Sequence, residues 1–486
     1  MALGEVDYGL MGLVGGMTAF ISFFNSLMAT AVGRFFAYSI GASEGRDVGG
    51  LEECRRWFNV SLLIHTVVPV CLLIVGYPIG EWAVRCFLTI PLDRVFDCVW
   101  VWRFVCFSCF LSMVTVPFNA MYVAKQYIAE LTIYSDLYTF VTVTLNGIFL
   151  FYMVSHPGVW LVRLSLWSCL LGVLPQIIIA TRAFWIFPEC RVIPSYMWNM
   201  RKIKDVSVYA FYRFFGALGL LVSGQGFSLI VNKMLGPAKN AAMNIGYAVS
   251  GHSNSLAGAF LSALSPAITT AYGSGNMERV RKLVFAASKL TTVMVLIFAL
   301  PLALETDEVF HLWLKTPPEG CVMICLGLLF VLVCENMCCG HYIAIFADGD
   351  IKWYQIWCLL MSICALPIAW FLMKLGHGIA AIAYALGIKQ LSIVIVRLYF
   401  GRKVCGLSIR QWMMTVSFPI VLCSIAALAV GFFVRLNCDA SFRRVMLTTV
   451  VVNATLLPFA WFLVLGESER ELCRDKIFSK LFFFNR

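Results

Sequence analysis

Apolar stretches of membrane-crossing length follow one another from one end of this chain to the other, separated by short polar connections. About 20 apolar residues carry a helix across a bilayer, and lipid offers the backbone no water to bond. A chain built this way must satisfy its peptide groups within each stretch, which means α-helices. Of the 486 residues, 61% are hydrophobic and 13% charged, against about 25% charged in a soluble chain. The sequence therefore predicts an all-α polytopic membrane protein with about thirteen transmembrane helices and no soluble domain. The expected spans run near 9–38, 57–85, 99–124, 128–154, 159–184, 206–235, 241–271, 284–304, 320–346, 353–374, 377–399, 412–435 and 445–466.

The stretch 240–289 is the most informative. A helix rich in Ala, Ser and Gly carries His252 and Asn254, is expected to break at Pro266, and ends at Gly273 and Gly275. Arg279, Arg281 and Lys282 follow, and the next apolar helix opens with Lys289 inside it. Residues 12–57 repeat this grammar: a small-residue helix with Asn25, then Arg34, a Gly-rich loop, and Arg55 with Arg56. Further echoes pair Pro78-Glu81-Trp82 with Pro301-Glu305-Trp313, at an offset of about 220–230 residues. Such internal repeats recur in secondary transporters. The expected division is an N-terminal bundle over 1–205, a pseudo-symmetric C-terminal bundle over 206–411, and a terminal helix pair with a basic tail over 412–486.

Net charge is +11, but it sits in loops, as membrane topology requires, so no nucleic-acid partner is expected. Connections after the odd-numbered spans hold Arg55, Arg56, Lys125, Arg201, Lys202, Lys204, Arg279, Arg281, Lys282, Arg402 and Lys403, among others. Those after the even-numbered spans hold only Arg94, Lys239, Lys315, Arg443 and Arg444. The bias places the odd connections and the C-terminal tail in the cytoplasm. The 19 Cys lie mostly in apolar runs, as small hydrophobes rather than a disulfide framework.

Several motifs resemble those of the bacterial O-antigen and lipopolysaccharide flippases, within the multidrug/oligosaccharidyl-lipid/polysaccharide exporter superfamily. They are Tyr8-Gly9 through Gly16, Met28 through Phe36 around Arg34, Val116-Pro117-Phe118-Asn119-Ala120, Phe187-Pro188-Glu189-Cys190-Arg191, Gly224-Gln225-Gly226, Gly236 through Ala242, and Leu302 through Leu314. The resemblance covers roughly residues 8 to 400 and lies in the order and spacing of these motifs. It implies twelve or fourteen helices in two six-helix bundles. This chain opens where the first helix would be ending, so the first bundle is expected to be one helix short. It also implies a multi-pass protein of the bacterial inner membrane that flips an undecaprenyl-diphosphate-linked oligosaccharide by alternating access. Membrane lipids, a coupling cation (H+ or Na+) and polysaccharide polymerase machinery are the further partners, with no cofactor and no catalytic residue. Two rivals remain: a multidrug exporter of the same superfamily, and a membrane enzyme of polysaccharide assembly. The latter usually has a long periplasmic loop, and every even-numbered connection here is short.

Ionisable residues inside spans are costly and are the default functional candidates. Lys389 sits about halfway along its helix, too deep for easy snorkelling, and a buried cation suits a lipid-linked diphosphate. A structural ion pair is the competing role. Arg34 and Lys289 flank equivalent Gly-rich loops, where snorkelling to headgroups fits as well as substrate binding. Arg213 lies nearer its helix start, where snorkelling is favoured. Glu335 and Asp136 are candidate proton or sodium sites, with a salt bridge from Glu335 to Lys389 the alternative. Asn25, Gln225, Asn232 and Asn254 suit sugar hydroxyls, although such amides more often join helices. Cys334, Cys338, Cys339 and His341 share one helix at a spacing that matches no common metal site.

Overall fold

The computed structural model describes residues 19–43, 49–87, 90–155, 161–314, 316–467 and 469–471, the side chains of 19–27 and a few others aside. They fall into two compact units, Met1–Phe211 and Tyr212–Arg486. The first has α1 (Ala19–Ala42), α2 (Gly49–Trp82), α3 (Val95–Val114), α4 (Val116–Ala124), α5 (Ile128–Ser155), α6 (Leu161–Ile186) and the short α7 (Pro194–Met197). Helix α8 (Met200–Leu235) runs on into the second unit. There follow α9 (Pro237–Gly273), α10 (Met277–Leu314), α11 (Cys321–Met337), α12 (Cys339–Asp348), α13 (Lys352–Leu372) and α14 (Ala380–Cys405). Short α15 (Ile409–Trp412) leads through a π turn into α16 (Phe418–Asn437), and α17 (Phe442–Phe459) closes the series. The fold is all-α, and where the structure describes them the expected spans are helical, although 99–124 is divided between α3 and α4, 320–346 between α11 and α12, and 412–435 between α15 and α16. Nine helices among the described residues are long and apolar enough to cross a membrane, or ten if the bent pair α11–α12 counts as one span. Helices α1, α5 and α9 overlap expected spans without entering that count. The first eighteen residues, and with them the expectation of a missing first helix, lie outside the described residues.

In the first unit, α3 hands over to α4 at Thr115, two residues before Pro117. The Thr115 hydroxyl has one hydrogen to donate and three acceptors in reach, the Leu111 and Ser112 carbonyls at 3.1 Å and Gln176 Oε1 at 2.9 Å. It thereby secures the joint where Pro117, lacking an amide hydrogen, cannot continue the helical ladder. Val32, Phe36, Phe58, Met121, Tyr122 and Phe187 form the buried core around this joint. The connection after α6 is bolted to the start of α2. Asn59 donates to the Arg191 carbonyl at 2.9 Å and accepts from the Ile193 amide at 2.7 Å.

The second unit packs α10 centrally. Its buried Val284, Ala287, Leu296 and Leu300 meet Ile343 and Ala344 of α12, Ile420 and Ala427 of α16, and Val452 and Leu456 of α17. Past the 52° bend between α11 and α12, α12 packs closely on α10. A Cβ on Gly340 would lie 2.1 Å from the Val284 carbonyl oxygen, so only glycine lets α12 come this close to α10. The break expected at Pro266 is absent: α9 runs unbroken to Gly273. Hydroxyls on either side bond nearby carbonyls, Ser262 to Ala259 at 2.7 Å and Thr269 to Ser265 at 2.9 Å. Neither reaches the Ser262 carbonyl, which is the one Pro266 leaves without an amide donor. The kink falls instead in α10, where Pro301 is followed by non-helical Glu305 (φ −112°, ψ 17°).

Candidate functional site

Helix α14 carries two buried cations, Lys389 and Arg397, each 7–8% exposed. Eight residues separate them, about 12 Å along the axis and on one broad face. Burying two cations on an apolar helix is expensive, so what surrounds them matters. Lys389 Nζ donates to the Ser223 hydroxyl of α8 at 3.4 Å. The Arg397 guanidinium spreads over three acceptors. Nε reaches the Tyr354 hydroxyl of α13 at 3.3 Å, Nη1 the Glu335 carbonyl at 3.2 Å, and Nη2 the Glu335 carboxylate at 3.3 Å.

A second guanidinium joins through an aromatic layer. Arg213 of α8 donates to the Tyr342 hydroxyl at 2.9 Å and lies 4.3 Å from the centre of the Phe346 ring. Arg397 stands 5.2 Å from the Tyr342 ring centroid. Tyr342 and Phe346 are one helical turn apart on α12 and their rings are 4.4 Å apart. The α11–α12 bend therefore carries Glu335 on one arm and these two rings on the other. Electron-rich ring faces attract cations and partly offset their lost hydration. Within the ion pair Arg397–Glu335 the carboxylate is half exposed and the guanidinium buried. Chemically this is a positively biased, aromatic-lined cluster suited to oxyanions.

Of the residues the sequence singled out, Arg213 and Glu335 are linked through Tyr342 and Arg397, the last of which sequence reasoning passed over, while Lys389 lies two turns away on α14 against Ser223. Glu335 pairs with Arg397 rather than with Lys389, the partner first expected for it, because Arg397 lies opposite the end of α11 where Glu335 sits. The spacing of eight from Lys389 was the available signal. Tyr342 and Tyr354 gave none, being ordinary aromatics in apolar runs.

The other candidates lie elsewhere. Lys289 pairs with Glu469 at 3.0 Å. Asn254 accepts from Asn336 at 3.3 Å, a bond between α9 and α11. Gln225 and Asn232 are exposed on α8. In the first unit Arg34 is half-buried among Phe35, Tyr38 and Tyr209, with ring centroids at 4.8, 5.1 and 5.4 Å. Asp136 is exposed on α5. Asn25 lies on α1, its side chain outside the described residues. Among the described residues no group of three or more His, Cys, Asp or Glu is placed to hold a metal ion.

No protein-family model and no curated protein matches this sequence. Solved structures do. One, described as MATE in the bent conformation, is 15% identical, with a TM-score of 0.68 over 83% of this chain and 88% of its own. Another, an outward-facing multidrug resistance MATE family transporter of the MOP superfamily, is 14% identical, with a TM-score of 0.65 over 83% and 89%. A third is a MOP superfamily transporter from Pyrococcus furiosus, whose description reports a binding pocket of reverse polarity suggesting a different function. It is 15% identical, with a TM-score of 0.66 over 83% and 91%. At these identities the likeness speaks for architecture alone, and the architecture of this chain is that of the MATE transporters of the MOP superfamily.

Proposed function

We propose that this protein is a flippase that moves an undecaprenyl-diphosphate-linked oligosaccharide across the bacterial inner membrane, by alternating access between two homologous halves. The observation that carries this reading is the charge of the cluster on α14. Arg397 pairs with the half-exposed Glu335 carboxylate, and Arg213 reaches Tyr342, whose ring Arg397 also faces. Lys389 is buried two turns away on α14 against Ser223, so cations outnumber the one carboxylate. A drug pump that favours cations calls for the opposite sign, whereas a diphosphate headgroup calls for this one. The Pyrococcus neighbour of reverse pocket polarity is a precedent for such a change on the same architecture. Lys389 and Arg397 would engage the headgroup, Glu335 would exchange between Arg397 and a coupling H+ or Na+, and Asp136 is the second coupling candidate. Polysaccharide polymerase machinery is the partner expected to consume the flipped glycan.

The multidrug exporter is the second reading, favoured by the multidrug transporter among the solved structures. One experiment separates the two. Lys389→Gln and Arg397→Gln are expected to abolish complementation of an O-antigen flippase-deficient strain while the proteins still insert at normal levels. Full complementation by both variants, or drug resistance conferred by the wild type without glycan export, would refute the flippase reading.

A further inference from the structure

After α17 and its closing π turn (Ala460–Val464) the chain turns at Leu465 and Gly466 into a further helical turn that lies over a buried lysine. Arg470 folds onto the end of α17, donating through Nε to the Trp461 carbonyl at 2.8 Å and through Nη2 to the Phe462 carbonyl at 2.9 Å. Those carbonyls lie in the final helical turn, where acceptors lack intrahelical partners and a cation is favoured. The Leu465 amide bonds Ala460 and the Arg470 amide bonds Gly466, both at 3.0 Å. The hook so formed delivers Glu469 to Lys289 Nζ at 3.0 Å, with the two side chains 11% and 10% exposed.

Gly466 leaves the Glu469 carboxylate room in its present position. A Cβ there would stand 2.5 Å from the Glu469 carboxylate and 3.9 Å from Lys289 Nζ. Lys289 lies beneath the hook, on the helix that opens with Arg279, Arg281 and Lys282. A carboxylate placed this way sits where a phosphate oxygen would bind the same ammonium.

We propose that the hook carrying Gly466, Glu469 and Arg470 is an autoinhibitory latch. Its Glu469 occupies Lys289 in place of a diphosphate anion, and arrival of that anion displaces the hook. This rests on the reading of the protein as a carrier of a diphosphate-linked lipid and names a control on it. Because the internal carboxylate competes, the apparent affinity for the anion is reduced by the fraction of molecules with the latch open. Removing the competitor therefore tightens binding, whereas removing a merely structural partner leaves Lys289 stranded and binding no better.

The test uses the full-length protein in phosphatidylcholine nanodiscs. One arm adds a prenyl diphosphate to the bilayer, and the other adds inorganic diphosphate in solution. Hydrogen exchange of the Leu465 and Arg470 amides reports the latch, and titration reports affinity. Glu469→Gln is expected to speed exchange and to tighten diphosphate binding on the order of tenfold, the usual scale for one charge-assisted bond. Gly466→Ala keeps both charges but crowds the carboxylate, and is expected to act in the same direction. Lys289→Gln is expected to speed exchange and to lose the binding that opens the hook, while binding at Lys389 and Arg397 remains. If only the prenyl diphosphate opens the wild-type latch, the ligand is a lipid headgroup; if both anions open it, the diphosphate alone suffices. Unchanged or weaker binding by both Glu469→Gln and Gly466→Ala would overturn the proposal, as would wild-type exchange that neither anion alters. Glycan transport is scored separately. Tighter diphosphate binding without transport of any glycan would sink the flippase reading and leave the latch, and normal transport with unaltered affinity would do the reverse.

Discussion

Arg397 holds three acceptors from one planar group, and that geometry belongs to a guanidinium alone. A lysine at this position has one nitrogen, which cannot reach the Tyr354 hydroxyl, the Glu335 carbonyl and the Glu335 carboxylate together. Arg397→Lys keeps the charge yet is expected to lower stability by about 1.5–3 kcal/mol, the range for hydrogen bonds to a charged group. Thermal unfolding in detergent reads this out, and a melting temperature equal to wild type would show that the fork contributes nothing. The exposed half of Glu335 keeps the expected loss below that of a fully buried pair. Lys389 could be picked out beforehand because a cation in mid-span lies too deep for easy snorkelling. Arg397 could not, since it lies just before the expected span end at residue 399, with Arg402 and Lys403 close behind. In a linear reading it passes for one more basic residue at a cytoplasmic helix end. Glu469 was invisible for another reason: it meets Lys289 across 180 positions of chain, and no local pattern encodes such a pairing.

Helices were the most legible level, because length and apolarity act locally and lipid permits little else. Breaks were less legible. Pro266 and Pro301 look alike in sequence, yet α9 runs through the first while α10 turns non-helical four residues after the second. Tertiary partners make part of the difference. Pro301 has no amide hydrogen, so the Ile297 carbonyl one turn earlier loses its intrahelical donor. The side chain of Asn453, on α17, supplies a replacement at 3.2 Å. Asn453→Leu is therefore expected to cost about 1–3 kcal/mol, the desolvation penalty of a buried acceptor left unmade. In a Pro301→Ala background the backbone amide returns and the same change should cost much less. A double-mutant cycle by chemical denaturation measures this coupling. Additive effects would show that Asn453 does not serve the proline-freed carbonyl.

At the scale of the whole molecule, α10 must cross between the two sides of the membrane if the loop charges mean what they do in other membrane proteins. The connection before it leads into Arg279, Arg281 and Lys282, whereas the one after it, with Pro317, Pro318 and Glu319, pairs Glu319 with Lys239 at 2.7 Å. That pair joins two neighbouring even-numbered connections on one side, and it neutralises one of the few cations there. Hydrogen bonding to Lys239 also holds the Glu319 carboxyl below its ordinary pKa, so the acid stays ionised at neutral pH. The positive-inside rule then predicts Ser274 on the cytoplasmic side and Pro318 on the opposite side of the membrane. A protease site inserted after Ser274 is expected to be cut only in inside-out vesicles, and one inserted after Pro318 only in spheroplasts. Cutting of both sites from the same side would mean that α10 does not cross. The reversed pattern would put Lys289 and its latch at the periplasmic end of α10, where a headgroup leaving the carrier, rather than one entering it, would meet Glu469.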